Sequence, residues 1–269
     1  MVDAHPIKTP SPTRQSTQSV PSSDLVDFGH ADIPRDDKQA KVDAIFSDVD
    51  GVYDVMNDVM SLGIHRHWKN ILVGMLGARH DQTLVDLAGG TGDIAWRYVQ
   101  AGGGAAIVCD VNPSMVAQGK TRLAPENKAQ NKANKIKWVV GDATTPPLAD
   151  GIAHVATIGF GLRNITDRAL ALASAHRLLK TGGRFYCLEF SHPHTPLVAS
   201  GYSLWSRMLP LMGEVVAGNA KAYRYLVESI ERFPDQETLA AMLGAAGFAR
   251  VRYRNLSGGI AAIHCGWKL

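Results

Sequence analysis

Three short stretches carry residues whose types and spacing suit the binding of a nucleoside. The first, Ala88-Gly89-Gly90-Thr91-Gly92-Asp93, follows an apolar run and precedes a helical pattern. Glycines there let the backbone come close to a ligand, and the helix that follows offers free N–H groups at its start. The loop departs from the G-x-G-x-x-G of dinucleotide sites, with Asp93 where that fingerprint needs room for a pyrophosphate. Negative charge beside the loop attracts a sulfonium cofactor more than a diphosphate, so S-adenosylmethionine is expected rather than NAD. The second is Asp110, which ends the next apolar run at about the distance along the chain at which a carboxylate accepts from ribose hydroxyls. A helix N-cap is the other role open to it, since Pro113 follows closely. The third, Gly141-Asp142-Ala143, pairs a carboxylate with a backbone N–H that could read the edge of an adenine, or is an ordinary turn.

These residues need strands to bring them to one edge. TLVDLA (83–88), AAIVCD (105–110), IKWVVGD (136–142), HVATIGF (154–160) and RFYCLEF (184–190) read as buried strands. Helical patterns separate them: IAWRYVQAG, SMVAQGKTRL after Pro113, and TDRALALASAHRLL before the Gly-Gly that follows Thr181. A further helix, DQETLAAMLGAAGF (235–248), and two final strands close the chain. Such alternation predicts an α/β fold with a doubly wound, mostly parallel sheet, whose ligand site lies beyond the strands' carboxyl ends.

The composition is that of one globular domain with appendages: 269 residues, 45% hydrophobic and 20% charged. A net charge of +3 is too small to argue for nucleic acid without a motif, and no apolar run of about 18 residues is present to span a bilayer. Cys109, Cys187 and Cys265 each sit in an apolar run, which fits a reducing cytoplasm and neither disulfides nor structural zinc. Residues 1 to about 38 are rich in Pro, Ser, Thr, Asp and Gln and are expected to stay disordered; their acids and the lack of an apolar core argue against a signal or transit peptide. Residues 39–80 are expected to form an N-terminal helical cap on a catalytic domain at 81–269. PENKAQNKANKIK (125–137) reads as a solvated insertion.

Longer motifs identify a relative. YDVMNDVMSLGIHRHWK (53–69), VDLAGGTGD (85–93), DVNPSM (110–115), GFGLRNITD (159–167), HRLLKTGGRFYCLEFSHP (176–193), YRYLVESIERFPDQETLAAML (223–243) and GGIAAIHCGWK (258–268) resemble the UbiE-type family of ubiquinone/menaquinone biosynthesis C-methyltransferases. The resemblance runs from about Val26 to the C-terminus. It implies a Rossmann-like class I methyltransferase fold, S-adenosylmethionine as cofactor, and a prenylated benzoquinol or demethylmenaquinol as substrate. By position it implies cofactor contacts at Thr91, Asp110, Asp142, Ala143 and Gly159, beside Gly89 of the loop. Gly159 stands where the family commonly has serine, and Val49-Asp50 where it has Val-Ala.

Methylation of a ring carbon needs an in-line approach and a ring oxygen that is partly deprotonated. Arg163 and Asn164 could donate to that oxygen, unless Arg163 is a loop cation paired with Asp167. Tyr53 could orient the ring or close over the cofactor, or pack in the core. Asp54 and Asp58 read as solvated helix acids. The pairs His65/His67 and His192/His194 lack a third ligand, so no metal is expected, though His192 could accept a proton. Residues 192–233 interrupt the alternation and are either a packed insertion or a lid over an isoprenoid tail, one that could touch the membrane surface. A quinone-synthesis complex or a homodimer are the partners considered. The competing activities are O- or N-methylation of a small soluble molecule, a dehydrogenase, and a scaffold without turnover.

Overall fold

A computed structural model of the chain describes residues 25–35, 37, 38, 41, 61, 63–123, 130–196, 200–202 and 220–269. In chain order the elements are β1 (Leu25–Phe28), β2 (Ala31–Pro34), α1 (His65–Leu76), β3 (Thr83–Leu87), α2 (Asp93–Gln100), β4 (Ala105–Asp110), α3 (Pro113–Arg122) and α4 (Gln130–Ala133). There follow β5 (Ile136–Val140), β6 (Ala153–Gly159), a 3-10 turn (Leu162–Asn164), α5 (Arg168–Leu178), β7 (Leu179–Phe190), α6 (Ala220–Glu231), α7 (Gln236–Ala245), β8 (Ala249–Leu256) and β9 (Ala261–Trp267).

Seven strands form one sheet in the order β5-β4-β3-β6-β7-β9-β8. The first five are parallel, and β9 runs antiparallel between β7 and β8. Strand order reverses between β3 and β6, so their carboxyl ends open a crevice at the switch point. Alternate residues of each strand feed opposite layers. Leu84 joins Trp68, Leu72 and Leu76 of α1 and Ile94 and Tyr98 of α2 on one face. Val85 and Leu87 join Leu172 and Leu178 of α5 and Leu239 and Leu243 of α7 on the other. The doubly wound expectation holds.

The helix starts follow from local chemistry. Asn112 caps α3 by accepting from the N–H groups of Ser114 (2.9 Å) and Met115 (3.4 Å), with Pro113 in the first turn. Asp167 caps α5 through Leu170 N (2.9 Å), and Asp235 caps α7 through Thr238 N (2.8 Å).

Two expectations are corrected. Residues 25–34 do not belong to a disordered tail: β1 and β2 pair antiparallel around a Gly29-His30 turn. Their few apolar side chains suffice because distant ion pairs, described below, hold them. The strand expected to begin at Arg184 instead begins at Leu179, since Gly182 and Gly183 exchange backbone hydrogen bonds with Lys268. The stretch 125–137 includes α4, whose Lys132 Nζ reaches Gln100 Oε1 (3.0 Å), and its last two residues start β5.

Candidate active site

The ends of β3 and β6 leave their strands through residues in the left-handed region, Ala88 (φ 49°) and Phe160 (φ 57°). A residue with a Cβ adopts that conformation at a cost of about 1–2 kcal/mol. Such strain accumulates where the backbone must be aimed, here into the crevice. Gly92 (φ 75°) starts α2, and a Cβ there would lie 2.6 Å from the Trp138 ring.

Asp110, at the end of β4, holds the loop. Its Oδ2 accepts from Gly90 N (2.7 Å) and its Oδ1 from Asn112 N (2.9 Å). Asn112 is the helix cap, so the N-cap alternative for Asp110 is corrected. Asp142 is exposed and closes a turn by accepting from Thr144 N (2.8 Å), while Ala143 beside it is buried. The ends of β4 and β5 are joined by Gly141 N donating to Asp110 O (2.9 Å).

The negative charge that Asp93 brings to the loop is met by cations, Lys69 Nζ (2.9 Å) and Arg97 Nε (3.0 Å). Asp86, which sequence reasoning passed over, is fully buried within β3. Its Oδ1 accepts from Thr157 Oγ1 (2.6 Å), and its Oδ2 has no hydrogen-bond partner. Burial pushes its carboxyl up to about 7, with Asp110 and Asp93 adding to the rise and Thr157 and Lys69 opposing it. A Cβ at Gly89 would sit 2.9 Å from that Oδ2 and 2.9 Å from Val108 Cγ1, so only glycine leaves the space open. An acid alone in an apolar strand was the available signal.

Gly159 ends β6, and a Cβ there would collide with Cδ1 of Ile94 in α2. An isoleucine methyl therefore occupies the volume that a serine side chain at 159 would need.

Arg163 lies in the 3-10 turn beyond β6 and is 2% exposed. Its Nη1 donates to the Phe160 carbonyl (2.7 Å) and to Glu189 Oε1 (2.5 Å), and its guanidinium lies 5.6 Å over the Phe190 ring. The pairing with Asp167 is corrected: Asp167 receives Arg35 Nη1 (3.2 Å) instead. Glu189, also missed from the sequence, is the last residue but one of β7, in an otherwise apolar stretch. Around the pair stand Phe160, Phe190 and Trp68, with Phe160 and Phe190 centroids 5.0 Å apart and Trp68 5.9 Å from Phe190. Asn164 Oδ1 accepts from Tyr225 Oη (3.3 Å). Tyr53, Asp54 and Asp58 lie outside the described residues, as do 197–199 and 203–219 of the expected lid.

His192 Nε2 donates to Phe233 O (2.8 Å), so that nitrogen carries a proton rather than accepting one. Among the described residues no helix is long and apolar enough to cross a membrane.

The strand-end residues fit an adenosyl cofactor. The Asp110 carboxylate is fixed at its strand end by the Gly90 and Asn112 N–H groups, glycine keeps the space beside Asp86 open, and a buried Asp86 carboxyl oxygen there has no hydrogen-bond partner.

Known proteins resemble this chain along almost its whole length. The model of the ubiE/COQ5 methyltransferase family matches residues 35–268. A ubiquinone/menaquinone biosynthesis C-methyltransferase UbiE of Acidiphilium cryptum is 50% identical over 249 residues, covering 92% of this chain and 98% of that protein. Its namesake from Methylobacterium nodulans is 48% identical over 248 residues, 90% of this chain and 96% of that one. Among solved structures, YcgJ of Bacillus subtilis aligns with TM-score 0.54 at 16% identity, over 76% of this chain and 99% of that one. A SAM-dependent methyltransferase from Aquifex aeolicus aligns with TM-score 0.53 at 12% identity, over 75% and 89%. At these identities the structural likeness speaks for the Rossmann-like methyltransferase fold alone. With the sequence matches added, the chain belongs to the ubiE/COQ5 methyltransferase family.

Proposed function

We propose that this chain transfers a methyl group from S-adenosylmethionine to a ring carbon of a polyprenylated benzoquinol, a demethylmenaquinol, or both, in ubiquinone and menaquinone synthesis. The observation that carries the reading is identity of 50% over 92% of the chain with a protein of that named activity. S-adenosylmethionine, when bound, supplies the electrophilic methyl group. Asp110 holds the ribose hydroxyls, the loop from Gly89 to Thr91 approaches the cofactor with its backbone, and Asp142, Ala143 and Gly159 border it.

Arg163 and Asn164 stabilise the quinol oxygen as negative charge develops on it, and Tyr53 orients the ring. An arginine stays protonated at any working pH, so its contribution is electrostatic and grows in the apolar setting of Phe160, Phe190 and Trp68. Glu189 and the Phe160 carbonyl fix the guanidinium in advance. The substrate's isoprenoid tail keeps it in a bilayer, so the chain meets it at the membrane surface.

Incubation of the purified chain with methyl-labelled cofactor and a short-tailed prenylated quinol tests the reading. Label is expected on a ring carbon; label confined to oxygen, or none with either quinol class, would overturn it.

A further inference from the structure

The N-terminal ribbon is remote in sequence from the site, yet two of its side chains connect, each through one intermediate residue, to the turn that carries Arg163 and Asn164. Asp27 accepts from two cations, Lys38 Nζ on Oδ1 (2.9 Å) and Arg168 Nη2 on Oδ2 (2.6 Å). The same Arg168 nitrogen donates to the carbonyl of Arg163 (3.2 Å). The neighbouring residue makes a second connection: the Phe28 ring lies 4.8 Å from that of Tyr225, whose hydroxyl donates to Asn164 Oδ1 (3.3 Å). Two successive ribbon residues thus reach two successive turn residues by separate routes.

The ribbon is itself fastened. His30 N donates to Glu228 Oε2 in α6 (3.1 Å), and a Cβ at Gly29 would collide with that oxygen. Arg35 joins Asp167, the cap of the helix that starts next to the turn. Lys38, almost wholly buried, anchors Asp27 from the side opposite Arg168. A lysine is buried to that extent only when its charge is met, so Asp27 is the junction of the assembly.

We propose that residues 25–38 are a positioning strap for the methyl-transfer site, with Asp27 acting through Arg168 on Arg163 and Phe28 acting through Tyr225 on Asn164. This rests on the reading that Arg163 and Asn164 face the quinol. Neither ribbon residue need touch substrate; each sets where the donors point, and a shift of about 1 Å in such groups can cost about 100-fold in rate.

The test uses the full chain with Asp27→Asn, Asp27→Glu as the conservative variant, and Asp32→Asn as a control whose partner, Arg232, does not reach the turn. Hydrogen exchange reads the turn with no substrate present, through the amides of Asn164 and Ile165, bonded to Gly161 O (3.0 Å) and Leu162 O (3.2 Å). In Asp27→Asn those amides should exchange about 10-fold faster or more while β3 and α2 keep their protection. The kcat should fall about 10-fold or more at unchanged cofactor Kd, with partial recovery in Asp27→Glu and none of this in Asp32→Asn. Unchanged exchange at the turn, loss of protection throughout the sheet, or faster exchange with normal kcat would each overturn the strap. If the parent chain methylates no quinol, the function fails, while the exchange and cofactor measurements still decide the strap.

Discussion

Arg163 and Glu189 form an ion pair at 2.5 Å in which the two side chains are 1% and 2% exposed. Removing one member of a buried pair leaves an uncompensated charge and costs about 3–5 kcal/mol, whereas replacing both by apolar side chains is often neutral. Arg163→Met and Glu189→Leu alone should each lower stability by about that amount, and the double variant by much less than their sum. On the folded double variant, kcat should fall on the order of 100-fold while cofactor Kd stays within a few-fold. Near-normal turnover, with stability restored, would reduce Arg163 to a packing role.

Asp110 should matter to the cofactor and little to the chemical step. Asp110→Ala removes an acceptor for ribose and also orphans the Gly90 and Asn112 N–H groups that shape the loop. Loss of a charge-assisted hydrogen bond is expected to weaken cofactor binding by about 1–3 kcal/mol. Calorimetry with S-adenosylmethionine decides this, and an unchanged Kd would remove the assignment.

The sheet and the strand-end glycines were legible because parallel strands are buried on both faces, so each reads as an apolar run with its functional residue just after it. Asp110 and Asp142 were picked out in that way, whereas Gly159 came only from the family resemblance. What the chain hid were partnerships across long separations. Glu189 meets Arg163 from a different strand, Lys69 of α1 neutralises Asp93, and Asp27 pairs with Arg168 at a separation of 141 residues. Local patterning carries no trace of these, which is also why LVDFGHADIP looked too polar to order itself. Its strands are held by ion pairs that only the folded chain assembles.

The titration of Asp86 gives a prediction whose sign follows from burial. Its folded carboxyl, raised to about 7 from an ordinary 3.8, holds its proton in a range where the unfolded chain has already lost it. The folded state then binds more protons, so this residue makes stability fall as pH rises from about 4 towards 7, with no contribution below that window. Asp86→Asn removes the term while keeping an oxygen to accept from Thr157. The variant should therefore gain on the parent as pH is raised across the window and hold a constant advantage above it. Denaturant melts at several pH values measure the difference, and parallel curves for parent and variant would sink the account.

Ile94 and Gly159 should be energetically coupled. A serine introduced at 159 needs the volume of Ile94 Cδ1, and Ile94 is buried between α2 and the sheet with little room to turn aside. Gly159→Ser alone should destabilise by about 1–3 kcal/mol, as overpacking does. Ile94→Val alone deletes the obstructing methyl and should cost about 0.5–1.5 kcal/mol as a cavity. Combined, the new side chain fills the space that the lost methyl vacates, so the double variant should be more stable than the two losses added together, by an interaction energy of about 1 kcal/mol or more. Chemical denaturation of all four proteins closes the cycle. Simple additivity within about 0.5 kcal/mol would mean that Ile94 moves away without cost, and that the glycine at 159 is not explained by the isoleucine above it.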